Sequence, residues 1–124
     1  MLILYVDDDK EDQEIFCDAI KTIDQSIECV AVNDGLQALT ILSRALELPD
    51  FIFTDVNMPR MGGKMLLQNL KADPRFKNIP VVIISTGVHE DDKMEYIQLG
   101  AHTIFPKPTS FNELVDSLKL MLVK

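Results

Sequence analysis

The sequence has 124 residues, 47% of them apolar, and a formal net charge of −8. A domain of this length buries a hydrophobic core without disulfides or metals, and the acidic balance argues against non-specific nucleic-acid binding, which needs lysine and arginine. No apolar run approaches the roughly 20 residues that cross a bilayer. The opening apolar run has no basic segment before it and stops at three aspartates, so we expect no signal peptide. We therefore expect a cytoplasmic protein that contacts neither membranes nor, directly, nucleic acid.

Apolar runs alternate with stretches of helical periodicity along the whole chain. The short runs are rich in Val, Ile and Phe and apolar on both faces, which is typical of strands in a parallel sheet covered on both sides. In chain order the pattern predicts a strand over 2–6, a helix over 10–23, a strand over 27–32, a helix over 35–46, a strand over 51–54, a helix over 63–72, a strand over 81–84, a helix over 91–99, a strand over 103–105 and a helix over 110–123.

Each helix is predicted from one apolar stripe, the fourth being the weakest. The stripes consist of Ile15, Phe16, Ala19, Ile20 and Ile23; Ala38, Leu39, Ile41, Leu42 and Leu46; Leu66, Leu67 and Leu70; Met94, Ile97 and Leu99; and Leu114, Leu118 and Met121.

Helix boundaries are marked by capping residues. Asp9 is a predicted N-cap, residues 33–35 interrupt the chain before the second helix, and Gly100 ends the fourth. Ser110, with Glu113 three residues on, has the pattern of a capping box. Five strand–helix repeats of this kind predict a three-layer α/β domain with a parallel sheet and right-handed crossovers. We expect residues 1–124 to form this one domain, with no output domain after it.

The cysteines and histidines show no zinc-site spacing. Cys17 and Cys29 form no CxxC pair and are interpreted as packed thiols. His89 and His102 are far apart and lack an HExxH or cysteine context.

Polar residues follow four of the predicted strands. They are Asp7, Asp8 and Asp9 after the first strand, Asp55 after the third, Ser85 and Thr86 after the fourth, and Lys107 after the fifth. Each alone has an ordinary reading as a cap, a turn or a surface loop. Since the carboxyl ends of parallel strands share one edge of the sheet, their coincidence indicates a functional site there. Three ionised carboxylates at one place repel each other unless a cation is bound, and such a set of oxygen ligands suits Mg²⁺.

At these residues the sequence resembles the receiver domain of two-component response regulators, of the single-domain chemotaxis type. The resemblance spans the chain. It is carried by the Asp7-Asp8 pair, residues 55–59 (DVNMP) with Gly63 eight residues past Asp55, residues 80–85 (PVVIIS) and Lys107-Pro108. It implies a flavodoxin-like, doubly wound α/β/α fold whose five parallel strands lie in the order 2-1-3-4-5.

The resemblance also implies a role for each site residue. Ser85 is preferred over Thr86 as the hydroxyl because it lies five residues past Pro80, and the bond before Pro108 is often cis in such domains. The implied roles are Asp55 as phosphoacceptor, Asp7, Asp8, Asp55 and the backbone carbonyl of Asn57 as Mg²⁺ ligands, Ser85 as a hydrogen-bond donor to the phosphoryl group, and Lys107 as its cationic partner.

Three positions depart from the family pattern. Thr86 is larger than the usual small residue, Gly62 replaces a polar one, and Ile104 takes the place of a switching Tyr or Phe. A β-branched side chain is stiff at χ1. We therefore expect switching to depend on the backbone of 86–90 and on the fourth helix more than on Ile104. Phe105 should point to the opposite face, into the core.

The resemblance implies a phosphorelay switch. Asp55 would take a phosphoryl group from a sensor histidine kinase and change binding to a downstream target or phosphotransfer protein, without acting as an enzyme on a separate substrate. A Mg²⁺-dependent aspartyl-phosphate hydrolase is an alternative, but it typically carries a second acid where Asn57 stands. An FMN-binding module is another, but residues 7–9 would repel its phosphate. A degenerate receiver is disfavoured by the intact set of acids, hydroxyl and lysine.

Overall fold

The computed structural model describes residues 1–86 and 90–122, without the side chains of residues 90 and 91. Its elements alternate as predicted: β1 (Leu2–Val6), α1 (Lys10–Ile23), β2 (Glu28–Val32), α2 (Gly35–Arg44), β3 (Phe51–Thr54), α3 (Gly63–Ala72), β4 (Val81–Ser85), α4 (Glu90–Gln98), β5 (Thr103–Pro106) and α5 (Phe111–Leu122).

The five strands form one sheet in the order β2-β1-β3-β4-β5. Every neighbouring pair is parallel, and β1 is paired on both sides, with Ile3 opposite Cys29 on β2 and Phe51 on β3. This confirms the predicted strand order and the doubly wound α/β/α class.

Successive side chains of each strand point to opposite faces of the sheet, so the strands contribute to two hydrophobic cores, one on each face. Leu4 and Val6 pack on one face with residues of α2, α3 and α4, whereas Ile3 and Tyr5 pack on the other with residues of α1 and α5. Cys29 packs in the α1–α5 layer, and Cys17 and Cys29 are both free and half-buried, as expected of packed thiols. None of the helices in the described ranges is long and apolar enough to cross a membrane.

The apolar stripe of α2 ends earlier than predicted. The helix stops at Arg44, and Leu46, which was assigned to the stripe, is fully exposed. Ile15 on α1 and Ile41 on α2 also remain more than a third exposed, because they lie at the margins of their stripes. In α1 and α2, helix periodicity identified the buried side of the helix but not how many residues of the stripe are covered.

The prediction for α4 was wrong about the residues that face the core. Met94 and Ile97 are 68% and 48% exposed, whereas Tyr96 is buried with Ile104 and Ala101. Met94 and Ile97 are three residues apart and share one face of the helix, which is turned to solvent. Leu99 is partly buried against the same core, as predicted.

The predicted caps are present. Asp9 accepts hydrogen bonds from the backbone N–H groups of Glu11 and Asp12, and the Ser110 hydroxyl accepts one from Glu113 N–H over 3.2 Å. Gly100, with φ of 108°, follows α4 in the left-handed conformation that favours glycine.

The peptide bond before Pro108 is trans, since the described residues contain no cis peptide. The expectation of a cis bond there was therefore wrong.

Candidate functional site

The first residue after β1, β3 and β5 is held in place by a backbone hydrogen bond to the neighbouring strand. Asp7 N–H donates to the Val32 carbonyl (3.0 Å), Asp55 N–H to the Val6 carbonyl (2.9 Å), and Lys107 N–H to the Ser85 carbonyl (3.1 Å). The side chains that sequence reasoning selected from four strand ends therefore start from one edge of the sheet.

Lys107 is the residue that joins these strand ends. Its Nζ atom lies 2.8 Å from Asp7 Oδ2, 2.9 Å from Asp12 Oδ2 and 3.4 Å from Asp55 Oδ2. Burial opposes its charge, but hydrogen bonds to Asp7 and Asp12 and the charge of Asp55 raise the pKa of Lys107 above its ordinary value. The ammonium group is therefore a permanent positive charge in the site.

Asp7, Asp8 and Asp55 form an acidic trio in which one oxygen from each carboxylate lies within 4.8 Å of the others. Asp7 is fully buried and Asp55 is 9% exposed, whereas Asp8 is exposed at the rim. Hard oxygen ligands this close together, open to water on one side, fit a divalent cation such as Mg²⁺ or Mn²⁺. The trio is the part of the predicted ligand set that the structure brings together.

Ser85 is the last residue of β4, Thr86 follows it, and Asn57 lies in the segment after β3. The Ser85 side chain is buried and its hydroxyl donates to the Thr86 carbonyl oxygen over 3.3 Å, whereas the Thr86 side chain is exposed. Asn57 is exposed in the segment after β3. The assignment of its backbone carbonyl as a metal ligand stays a prediction.

Tyr5 belongs to the site and was missed in the sequence, where it counted only as part of an apolar strand. Its hydroxyl donates to Asp7 Oδ2 over 2.7 Å, and its ring stacks on Phe16 with centroids 4.0 Å apart. Burial, together with the hydrogen bond to Asp7, raises the pKa of Tyr5, so it remains a donor. The available signal was a spacing of two, which places Tyr5 and Asp7 on the same side of the chain.

Asp12 was also missed. Its carboxylate is the third partner of Lys107, 95 residues away in sequence. In the sequence it is one of two acids in the first turn of a helix, where a negative charge is ordinarily favourable. No local pattern separates Asp12 from its neighbour Glu11.

The two glycines at the start of α3, the N-cap Gly62 and the first helical residue Gly63, allow two backbone segments to touch. A Cβ on Gly63 would lie 2.2 Å from the Asp55 carbonyl oxygen, and one on Gly62 would lie 2.6 Å from the Val56 carbonyl oxygen. Gly63 N–H also donates to that Val56 carbonyl over 2.9 Å. Gly62, the departure from the family pattern, is thus explained by the close backbone approach beside the Asp55 position.

A salt bridge fastens the same loop to the start of α2. Arg60 donates from Nε (2.9 Å) and Nη2 (2.7 Å) to Asp34 Oδ2, and Gly35 N–H donates to the Met61 carbonyl oxygen over 2.9 Å. Burial works against ionisation of Asp34, yet hydrogen bonds from Gln37 N–H and Arg60 hold its pKa below the usual value. The second half of the loop that follows Asp55 is therefore anchored to the start of α2.

Comparison with known proteins agrees with this geometry. Residues 3–119 match the response regulator receiver domain family. The chain is 30% identical over 118 residues to response regulator Rcp1 of Synechocystis, covering 91% of this chain and 80% of that protein. It is 27% identical to the sensor histidine kinase CheAY of Helicobacter pylori, covering 95% of this chain but only 14% of the kinase.

Solved structures give the same result. The phosphorylated cyanobacterial phytochrome response regulator RcpA matches with a TM-score of 0.87 and 30% identity, covering 97% of this chain and 89% of that one. The chemotaxis response regulator CheY4 of Vibrio cholerae matches with a TM-score of 0.83 and 26% identity, covering 98% of each chain. This chain belongs to the response regulator receiver domain family, whose members act as signalling switches.

Proposed function

We propose that this chain is a phosphorelay switch in which Asp55 accepts a phosphoryl group from a histidine of a sensor kinase. The observation that carries the proposal is the position of Asp55, which lies within reach of the Lys107 ammonium and inside the acidic trio. Phosphoryl transfer needs a nucleophile, a cation and a set of metal ligands, and all three lie together at the carboxyl ends of the strands.

The chemistry is a displacement at phosphorus. A carboxylate oxygen of Asp55 forms the new P–O bond while the P–N bond to the donor histidine breaks, leaving its electron pair on the imidazole. Lys107 offsets negative charge on the transferring oxygens, and the Ser85 hydroxyl turns from the Thr86 carbonyl to donate to one of them.

Asp7, Asp8, Asp55 and the Asn57 carbonyl would hold Mg²⁺. When bound, the ion supplies further charge neutralisation for the phosphoryl oxygens. A solved structure of response regulator Rcp1, with a TM-score of 0.84 and 28% identity to this chain, is described as the Mn²⁺-bound form. That relative supports a divalent ion here.

The output is a change in partner binding. Phosphorylation adds charge beside β4, and movement of Ser85 draws the segment after it toward the site, which biases a two-state element. Hydrolysis of the acyl phosphate resets the switch, so the chain promotes only its own modification. The signal then passes, in the cytoplasm, to a downstream target or phosphotransfer protein.

The proposal is tested by replacing Asp55 with asparagine, which keeps the shape and removes the nucleophilic carboxylate. With acetyl phosphate and Mg²⁺, intact-mass spectrometry should show a phosphorylated parent and no phosphorylated Asp55→Asn. Asp18→Asn, an exposed acid-to-amide change on α1, is the matched control and should be labelled like the parent. Undiminished labelling of Asp55→Asn would mean that another carboxylate is the acceptor.

A further inference from the structure

The hydrogen-bonding capacity of Lys107 is fully used. An ammonium group has three N–H donors, and Nζ has three carboxylate partners: Asp7 at 2.8 Å, Asp12 at 2.9 Å and Asp55 at 3.4 Å. A phosphoryl group on Asp55 takes over the longest of these contacts. For Nζ to move from 3.4 Å to full hydrogen-bond distance from a phosphoryl oxygen, one of the two shorter contacts has to lengthen.

The Asp7 carboxylate is not the contact that yields. It is fully buried, and it also accepts hydrogen bonds from the Tyr5 hydroxyl (2.7 Å) and from Asp9 N–H (3.0 Å). Releasing Lys107 would leave a charge buried without its cation, which is strongly unfavourable.

Asp12 is different. Its side chain is 37% exposed on the first turn of α1, so water can replace Lys107 as its partner. It is also not needed as a cap, because Asp9 satisfies the N–H groups of Glu11 and Asp12. Of the two shorter contacts of Lys107, the one with Asp12 is therefore the exchangeable one.

We propose that Asp12 is a positioning residue that competes with the phosphoryl group for the Lys107 ammonium and so sets how readily Asp55 becomes phosphorylated. The inference rests on the proposed function of Asp55. Two effects of Asp12 have the same sign: it occupies one N–H donor of Lys107, and its negative charge repels the phosphoryl oxygens. Removing its charge should therefore strengthen phosphoryl binding.

The test uses beryllofluoride, a phosphoryl mimic, titrated in the presence of Mg²⁺ and followed by NMR. Asp12→Asn should bind it about two- to fivefold more tightly than the parent, the range for a partly exposed ion pair. Acetyl phosphate should also label Asp12→Asn more readily than it labels the parent. Asp12→Glu, which restores the charge, should return the affinity toward that of the parent.

The matched control is Glu11→Gln, which removes the same charge from the same helical turn at an exposed position. It should leave the affinity near the parent value. If Asp12→Asn binds no more tightly than Glu11→Gln, or binds more weakly than the parent, the inference is wrong while the role of Asp55 stands. A parent that binds no beryllofluoride and takes no label would overturn the proposed function, and this inference with it.

Discussion

At the scale of single residues, Asp7 shows how the site is preorganised. A fully buried carboxylate is costly unless it is paired and hydrogen-bonded. Asp7 meets that condition through Tyr5, Lys107 and Asp9 N–H, all within 3.0 Å. These contacts hold its orientation through the protein's own atoms, so a metal ion would meet a carboxylate that is already in place.

Asp8 contributes to the site mainly as a metal ligand and an added charge. It lies at the exposed rim of the trio with Asp7 and Asp55. Replacing it with alanine removes one ligand, so we expect Asp8→Ala to bind Mg²⁺ at least about tenfold more weakly by calorimetry. Since it also removes repulsion within the trio, the melting temperature of the metal-free protein should rise.

Asp18→Asn serves as the control for a general loss of negative charge on this acidic chain. It should leave both the Mg²⁺ affinity and the melting temperature of the metal-free protein close to those of the parent. Unaltered Mg²⁺ affinity in Asp8→Ala would remove Asp8 from the proposed ligand set.

At the scale of elements, the loop between β3 and α3 is held in a fixed conformation. Arg60 has a φ of 64°, a left-handed conformation that costs energy for a residue with a Cβ. The salt bridge from Arg60 to the buried Asp34, the N-cap of α2, offsets that cost. The loop that carries Asn57 thus depends on a contact with the preceding strand–helix junction.

Arg60→Gln should reveal the strength of this anchor. The change leaves the buried Asp34 carboxylate without its cation, and we expect the free energy of unfolding to fall by about 1–2 kcal/mol at pH 7. Because the pKa of Asp34 is lowered in the folded state, this stabilisation is present above the ordinary carboxyl pKa and is lost as the pH falls through the folded value. Thermal melts from pH 7 to pH 3 should therefore show the gap between parent and variant closing on acidification.

Arg75→Gln is the matched control. Arg75 also forms a salt bridge with an aspartate, Asp73, through Nη2 at 2.9 Å, but the Arg75 side chain is 63% exposed and Asp73 is not fully buried. Arg75→Gln should therefore change the melting temperature little. A stability gap for Arg60→Gln that does not narrow at all between pH 7 and pH 3 would show that the effect is not due to the Asp34 charge.

The fourth helix and fifth strand bear on how the signal leaves the site. Ile104 packs with Tyr96 in the core under α4, and Phe105 packs on the opposite face of the sheet, as predicted. Residues 87–89, part of the segment expected to switch, lie outside the described residues. A switch carried by α4 more than by Ile104 stays a prediction, and buried Tyr96 is the aromatic ring that α4 contributes there.

At the scale of the whole molecule, the sheet separates two hydrophobic cores and contributes side chains to both. Leu67 on α3 is fully buried on one face and Leu118 on α5 is fully buried on the other. Since β1, β3 and β4 contribute side chains to both layers, disrupting either core uncovers the same strands. We infer that the two layers stabilise the site edge together.

Leu67→Ala and Leu118→Ala test that arrangement. Each should lower the free energy of unfolding by about 2–5 kcal/mol, the cost of deleting a buried leucine. Both variants should still unfold in one transition, with circular dichroism and tyrosine fluorescence changing together. Leu120→Ala, at a residue 86% exposed, is the control and should have little effect. Two separate transitions in either core variant would show that the layers unfold independently.

The sequence by itself determined the element order and the edge of the sheet at which the site lies. Both follow from local rules: apolar periodicity marks strands and helices, and the residue after each parallel strand falls on the same edge. That is why Asp7, Asp55 and Lys107 were found from spacing, together with the two hydroxyls Ser85 and Thr86. The choice of Ser85 between those two came from the family resemblance. The strand order came from the family resemblance, because periodicity carries no information about which strands are neighbours.

Only the tertiary structure decided which distant side chains meet. Asp12 pairs with Lys107 across 95 residues, and Arg60 pairs with Asp34 across 26. Glu11 and Asp12 are adjacent acids in one helical turn, and only the placement of α1 relative to Lys107 distinguishes them. In the same way, the neighbours of α4, and not its own sequence pattern, bury Tyr96 and leave Met94 exposed. These contacts depend on the relative placement of whole elements, which local sequence does not encode.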